Sequence, residues 1–307
     1  MEKSYFVFGL IAIIVIATGA VLWSANKPTQ IAGPDSSRKL KIVTSFYTIG
    51  EFAHQVGGDL VDVEVITPAG TEPHDYEPTP QQIADIYASD VFLFNGAGLD
   101  SWAEKIAADL NTKQVYPGVS VGEMRFAVDI NGATDPHFWL DPKLAIKEVQ
   151  EISLELARID ETNRQKYTDN ANSYIAKLTA LSDEYKMGLA KCSQRTIVTS
   201  HNAFTYLADE YNFDVIALTG LSPDAEPSAG RLAEIAKLAE EKKMKYIYFE
   251  TLVSPKLAQT IADEIGATTL IFNPLEGLTN EELAAGENYI SVMETNLQNL
   301  RIGMICE

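Results

Sequence analysis

The sequence predicts an α/β protein: two similar α/β domains joined by a long rigid helix and preceded by an N-terminal transmembrane anchor or signal segment. Three observations carry this. Short β-branched runs alternate with helical patterns, which implies layered sheets and helices. The two halves of the chain repeat one another, and a 50-residue stretch rich in Ala, Leu, Glu and Lys separates them (142–191). At 307 residues with 46 % hydrophobic content, the chain suits two globular domains. The formal charge of −19 excludes nucleic acid as a partner, because a phosphate backbone requires a basic surface.

Residues 1–26 form the expected anchor or signal segment. Its core, 5–23, is an uncharged run of 19 residues. As a helix rising about 1.5 Å per residue, such a run nearly crosses a hydrocarbon layer of about 30 Å. It exceeds the apolar region of a signal peptide, about 7–15 residues, although Ala17, Gly19 and Ala20 would suit a cleavage site. An uncleaved anchor is expected, with a cleaved signal as the alternative. Either places the remainder outside the cytoplasm, anchored to the cell membrane, or periplasmic or secreted if cleaved. The segment has no nearby cysteine, which excludes a lipid-anchored form. Residues 27–38, rich in Pro, Ser, Ala and Gly, read as a linker.

The first domain, 39–141, has strand-like runs at 40–45, 61–67, 91–95 and, more weakly, 114–119. The connecting helix, 142–191, has an expected break near 160–162. The second domain, 192–307, has strand-like runs at 196–200, 213–218, 246–250 and 268–272, then a final helix over 288–302. IVTSFYTIGEFAHQ from Ile42 is echoed by IVTSHNAFTYLADE from Ile197, an offset of 155 (197 − 42). Glu72-Pro73 is echoed by Glu226-Pro227, an offset of 154 (226 − 72).

Ligands of open α/β sheets collect beyond the carboxyl ends of the strands. That rule marks His74 after the second strand, His137 after the fourth, His201 at the end of the fifth and Glu276 after the last. Facing domains would bring all four into one cleft. The chain has only four histidines, and three lie in these loops: GTEPHDYEPTP, DPHFWLDP and TSHNAF. Neutral imidazole is a good ligand for Zn²⁺. The remaining histidine, His54, falls inside an expected helix over 49–56 and is left out of the site. The spacings of 63, 64 and 75 residues match no local zinc-finger pattern.

These segments, with GLSPDAEPS, NPLEGLT and YISVMETNL, resemble the solute-binding proteins of metal ABC transporters, the zinc/manganese group called cluster A-I. The resemblance covers about residues 39–300. It implies metal ligation by His74, His137 and His201, and its zinc-binding branch uses the Glu of NPLE, which is Glu276 here. Manganese binders of the group tend to carry an Asp just after the last strand, where this chain has Asn273. Three imidazoles and one carboxylate suit Zn²⁺, with Mn²⁺ as the alternative, since harder Mn²⁺ favours more carboxylates. The resemblance implies that the loaded protein docks on an ABC permease, and a monomer is expected. Four protein ligands leave no position for a catalytic water, so no enzyme is expected. A zinc-dependent hydrolase would need Glu276 as a general base, and a surface adhesin is a third reading. The segment 121–136 is short and lacks the histidines found there in Gram-negative relatives. No second metal-binding domain is expected before the sequence ends at Glu307.

Cys192 and Cys306, an even pair in an oxidising compartment, are expected to form a disulfide. Partners for the outer ring nitrogens of the histidines are sought among Asp141, Asp75 and Glu250.

Overall fold

Parallel strands covered on both faces need apolar residues at successive positions, as in the fully buried run Val91–Phe94 at the centre of the first sheet, while the edge run Val61–Val65 alternates apolar with charged residues. The structure, a computed structural model, describes residues 38–110, 115–117 and 132–307. The expected anchor and nearly all of the linker lie outside the described residues. Strands β1 (Leu40–Thr44), β2 (Val61–Val65), β3 (Val91–Phe94) and β4 (Val115–Pro117) run parallel in the order β2-β1-β3-β4. Ile42 pairs with Val63 on one side and Val91 on the other. The order reverses between β1 and β3, which creates a crevice at their carboxyl ends.

The second half repeats this plan. Strand β5 (Thr196–Thr199) pairs in parallel with β6 (Asp214–Ala217), and β7 (Tyr246–Phe249) with β8 (Thr268–Ile271). Strand β5 lies alongside β7, so the spatial order β6-β5-β7-β8 mirrors the first sheet. All eight expected strand runs are present, and the seven whose flanks are described each stop one or two residues before the expected carboxyl end.

Side chains alternate across each sheet, as the two-residue period of a strand requires. In β1, Ile42 enters the large core shared by both halves, while Val43 enters a smaller outer cluster. In β3, Val91 and Leu93 face the shared core, and Phe92 and Phe94 face outward. In the second half Ile197 and Tyr248 join the shared core, while Val198 and Ile247 enter an outer cluster of that half. Residues Lys39–Glu307 form one compact unit as a result.

Ten helices among the described residues cover these faces. They are α1 (Tyr47–Gly57), α2 (Pro80–Tyr87), α3 (Ser101–Asp109), α4 (Pro142–Ile159), α5 (Arg164–Gly188), α6 (Thr205–Tyr211), α7 (Ala229–Glu241), α8 (Lys256–Ile265), α9 (Asn280–Ala285) and α10 (Tyr289–Gly303). The stretch expected as the connecting helix is therefore two helices. Asp160 leaves helical geometry at φ −122° and ψ 77°, and a 3₁₀ turn over Glu161–Asn163 follows. The reversal lets α4 and α5 pack along one another. With 25 residues, α5 is the long element, about 37 Å at 1.5 Å per residue.

Cys192 and Cys306 are joined by a disulfide across 114 residues of sequence. It ties the start of the second half to the chain beyond α10. Closing a loop of about 100 residues contributes on the order of 4–5 kcal/mol in the entropic account. No helix among the described residues is long and apolar enough to cross a membrane.

Candidate metal centre

His74 sits in the loop between β2 and α2, where Pro73, Pro78 and Pro80 restrict the backbone. Gln82 staples this loop, donating from Nε2 to the Ile66 carbonyl at 2.8 Å and accepting from Tyr76 Oη at 2.8 Å. Gly70 N donates to the Leu278 carbonyl at 2.9 Å, which links the loop to the one after β8. His137 precedes a 3₁₀ turn over Phe138–Leu140. His201 follows β5, and Glu276 follows β8.

These four side chains converge. Each offers one atom, and all four atoms lie within 4.8 Å of one another. Glu276 Oε1 is 3.0 Å from His137 Nε2, 3.1 Å from His201 Nε2 and 3.3 Å from His74 Nε2. His137 Nε2 lies 3.2 Å from His74 Nε2 and 3.3 Å from His201 Nε2. A tetrahedral centre with bonds of about 2.0–2.1 Å has edges of about 3.3 Å, so these separations fit one small cation. His54 is exposed on α1 and is not one of the converging groups.

Each buried histidine is fixed by a carboxylate behind it. Asp135 Oδ1 accepts from the His137 backbone N at 3.0 Å and from Nδ1 at 2.8 Å. Glu250 Oε1 accepts from the His201 backbone N at 3.2 Å and from Nδ1 at 2.6 Å. An ionised carboxylate only accepts, so both rings carry a proton on Nδ1, and Nε2 is the atom each turns to the centre and offers as a ligand once its own proton is released. Of the partners sought in the sequence, only Glu250 serves this way. Asp141 instead caps α4, accepting from Lys143 N at 2.9 Å. Asp75 turns outward and meets Asp224, whose carboxyl is pushed up to about 6 by that hydrogen bond and then by burial. Asp135 was missed, although an acid two residues before His137 was visible in the sequence.

The Glu276 loop is held at every backbone carbonyl leading to it. Asn296 Nδ2 donates to the Asn273 carbonyl at 2.7 Å, Trp139 Nε1 to the Pro274 carbonyl at 2.8 Å, and Thr48 Oγ1 to the Leu275 carbonyl. Leu275 adopts φ +56°, a left-handed conformation costly for a side chain with a Cβ. Asn273 makes that turn possible by accepting from Leu275 N at 2.8 Å, while its amide donates to Thr251 Oγ1 at 3.0 Å. Asn273 thus braces the loop and does not enter the cluster.

Electrostatics split the four groups. Burial lowers the Glu276 carboxyl's tendency to ionise, but His201 and the hydrogen bonds from the imidazoles outweigh it and hold the pKa well below the usual 4.5. Burial also opposes charge on His137 and His201. There the adjoining carboxylates prevail and raise both above 6.5, His201 strongly. His74 lacks such backing, and burial lowers it. Glu72, whose Oε2 accepts from His74 N at 3.1 Å, is pushed up to about 9 by burial and then by the Glu276 charge.

A cluster of three imidazoles and one carboxylate, set in loops of a parallel α/β fold, defines a protein built to hold a metal ion. A family model described as zinc-uptake complex component A, periplasmic (ZnuA), matches residues 42–303, and the chain belongs to that family of solute-binding components, which are not enzymes. The chain is 42 % identical to the zinc-binding lipoprotein AdcA of Streptococcus pneumoniae serotype 4 over 277 residues, covering 86 % of this chain and 55 % of the relative. It therefore spans about half the length of that relative. It is 38 % identical to the high-affinity zinc uptake system protein ZnuA of Bacillus subtilis, covering 95 % of this chain and 97 % of the relative. The crystal structure of the Zn(II)-bound ZnuA-like domain of S. pneumoniae AdcA superposes with a TM-score of 0.77 at 43 % identity, covering 87 % of this chain and 99 % of that one.

Proposed function

We propose that this chain is the extracytoplasmic solute-binding component of a zinc-uptake ABC transporter, binding one Zn²⁺ through His74, His137, His201 and Glu276 and delivering it to a permease. The observation that carries the reading is the convergence of three Nε2 atoms and one Oε1 atom within 4.8 Å in a member of this family. The ion is cargo, so the mechanism is capture and release without bond chemistry. Asp135 and Glu250 keep two Nε2 atoms aimed inward, and the braced loop brings the carboxylate that balances the cation's charge. Zn²⁺ is preferred over Mn²⁺ because Glu276 is the single carboxylate of the set and the Asn273 amide is spent on its own loop. The domains 39–141 and 192–307 act as the two walls of the site, with 142–191 as the connection that limits their relative motion to small amplitudes.

The AdcA relative is named a lipoprotein. In this chain both cysteines are joined to each other, so neither thiol is free for a lipid. The uncharged run 5–23 takes over anchoring as a membrane span, and 27–38 is the tether that lets a monomer reach its permease. The test is a competitive titration with Zn²⁺ and Mn²⁺ on the chain from residue 39 onward, with His137→Ala and Glu276→Ala in parallel. One zinc per chain in the wild type, with loss in both variants, is expected. Normal binding by His137→Ala contradicts the site.

A further inference from the structure

His137 and Glu276 come from different halves of the chain, yet their reactive atoms lie 3.0 Å apart. Something must fix that distance, and one side chain spans it. Trp139 lies two residues beyond His137, and Pro274 lies two residues before Glu276. The indole Nε1 of Trp139 donates to the Pro274 carbonyl at 2.8 Å, which closes a short ring through both groups. Trp139 is fully buried, with its ring 4.9 Å from that of Phe46 and 5.3 Å from that of His137. Its own carbonyl accepts from Tyr289 Oη at 2.6 Å. The indole is thus fixed by packing on its faces and by hydrogen bonds at both its ring nitrogen and its backbone.

The Pro274 carbonyl is buried and sits just before the left-handed Leu275, so it joins no strand ladder. A buried carbonyl must find a donor, and here the donor comes from the turn that carries His137. Phenylalanine would fill much of the same space but bring no N–H. We propose that Trp139 is a positioning residue that sets the spacing of His137 and Glu276, and through it the coordination geometry of the bound ion. The proposal rests on the zinc-binding reading above. Without the N–H the Pro274 carbonyl turns toward another donor, Leu275 loses its enforced conformation, and Glu276 Oε1 moves off the tetrahedral position.

The test compares three changes in the full chain: Trp139→Phe, replacement of Trp139 by β-(3-benzothienyl)alanine, which keeps the bicyclic shape without the N–H, and Tyr185→Phe. Tyr185 Oη donates to the Met293 carbonyl at 2.7 Å in the same core and makes no hydrogen bond to the Glu276 loop itself, so its loss controls for general destabilisation. Both changes at 139 are expected to weaken Zn²⁺ binding by about 10-fold, the lower end of effects from groups behind the ligands. They should also shift the visible absorption bands of the Co²⁺-loaded protein, which report coordination geometry. Tyr185→Phe should lower Tm and leave both unchanged. If Trp139→Phe does not fold, the benzothienyl variant decides. Wild-type Co²⁺ bands and zinc affinity within twofold of wild type in a folded 139 variant overturn the proposal while leaving the zinc reading standing. Absence of tetrahedral Co²⁺ bands in the wild type overturns both.

Discussion

His137 and His201 meet the same requirement by different routes. Both are fully buried, both present Nε2 to the centre, and both give Nδ1–H and backbone N–H to a single carboxylate oxygen. For His137 that carboxylate is two residues away, on Asp135, in a tight local turn. For His201 it is 49 residues away, on Glu250 at the end of the adjacent strand β7. The repeat of the sheets therefore reproduces the chemistry of the ligand without reproducing the residue that supports it. His74 differs from both: its side chain keeps 7 % exposure, and apart from Glu276 within the cluster its tie to a carboxylate is made by its backbone N, to Glu72. Two imidazoles are held from behind by charge, and the third is held by a proline-rich loop.

The comparison breaks most sharply if the buried pair is removed. His137→Ala and His201→Ala are each expected to lower zinc affinity by more than the ~10–100-fold typical of changes behind the ligands, measured by competition against a chromophoric chelator. An unchanged affinity in either variant removes that residue from the site. Next in size are the supports. Asp135→Asn and Glu250→Gln should each weaken binding by about 10–100-fold while leaving the stoichiometry at one. A large loss for one and none for the other would show that the local and long-range routes are not equivalent.

A smaller effect follows from pH. The carboxylates beside His137 and His201 raise both above their ordinary 6.5 in the metal-free chain, so zinc competes with protons for these two rings to a higher pH than it does for a free imidazole. Zinc affinity should therefore keep rising as pH climbs past 6.5, and titration calorimetry in buffers of different ionisation enthalpy should detect released protons. Affinity that is flat above 6.5 would contradict the raised values. The same shifts set the stability of the metal-free chain. Glu276, depressed below 4.5, contributes stability that is present above 4.5 and lost as pH falls through the depressed value. The raised imidazoles contribute stability that is full below 6.5 and lost as pH rises through their folded values, and His74, lowered, opposes them as one ring against two. The contribution of these four groups to metal-free stability should be greatest between about 4.5 and 6.5, while Glu72, pushed up to about 9 by burial, subtracts from stability as pH climbs above 4.5, so the increase in Tm on adding zinc should grow above that window.

The smallest effect on the site comes from the disulfide. Cys192→Ser with Cys306→Ser should cost up to about 4–5 kcal/mol of stability by loop-closure entropy and leave zinc affinity unchanged. Weakened binding at temperatures where the variant is fully folded would link the bridge to the site.

Most of the frame was legible because its signals are local. Eight β-branched runs marked the eight strands, and the strand-end rule singled out His74, His137, His201 and Glu276, whose side chains converge. Cysteine arithmetic marked the bridge between Cys192 and Cys306. The supports were less legible because their roles depend on backbone direction. Asp141 looks equivalent to Asp135 in DPHFWLDP, since each precedes a proline, but Pro142 opens α4 and Asp141 is consumed as its cap. Asp135 is bent back onto His137 by the intervening Pro136, whose carbonyl accepts from Asn95 Nδ2 at 3.1 Å. The brace around Glu276 was invisible for another reason. Its donors, Thr48, Trp139 and Asn296, come from three separate parts of the chain and carry no common pattern.

The measurement that bears most directly on the account is the Zn²⁺ against Mn²⁺ competition on the chain from residue 39 onward, run beside Glu276→Ala. The account predicts one tightly held zinc, displacement of manganese by zinc, and loss of tight binding when Glu276 is removed. Equal affinity for the two ions, or zinc held as tightly without Glu276, would contradict it.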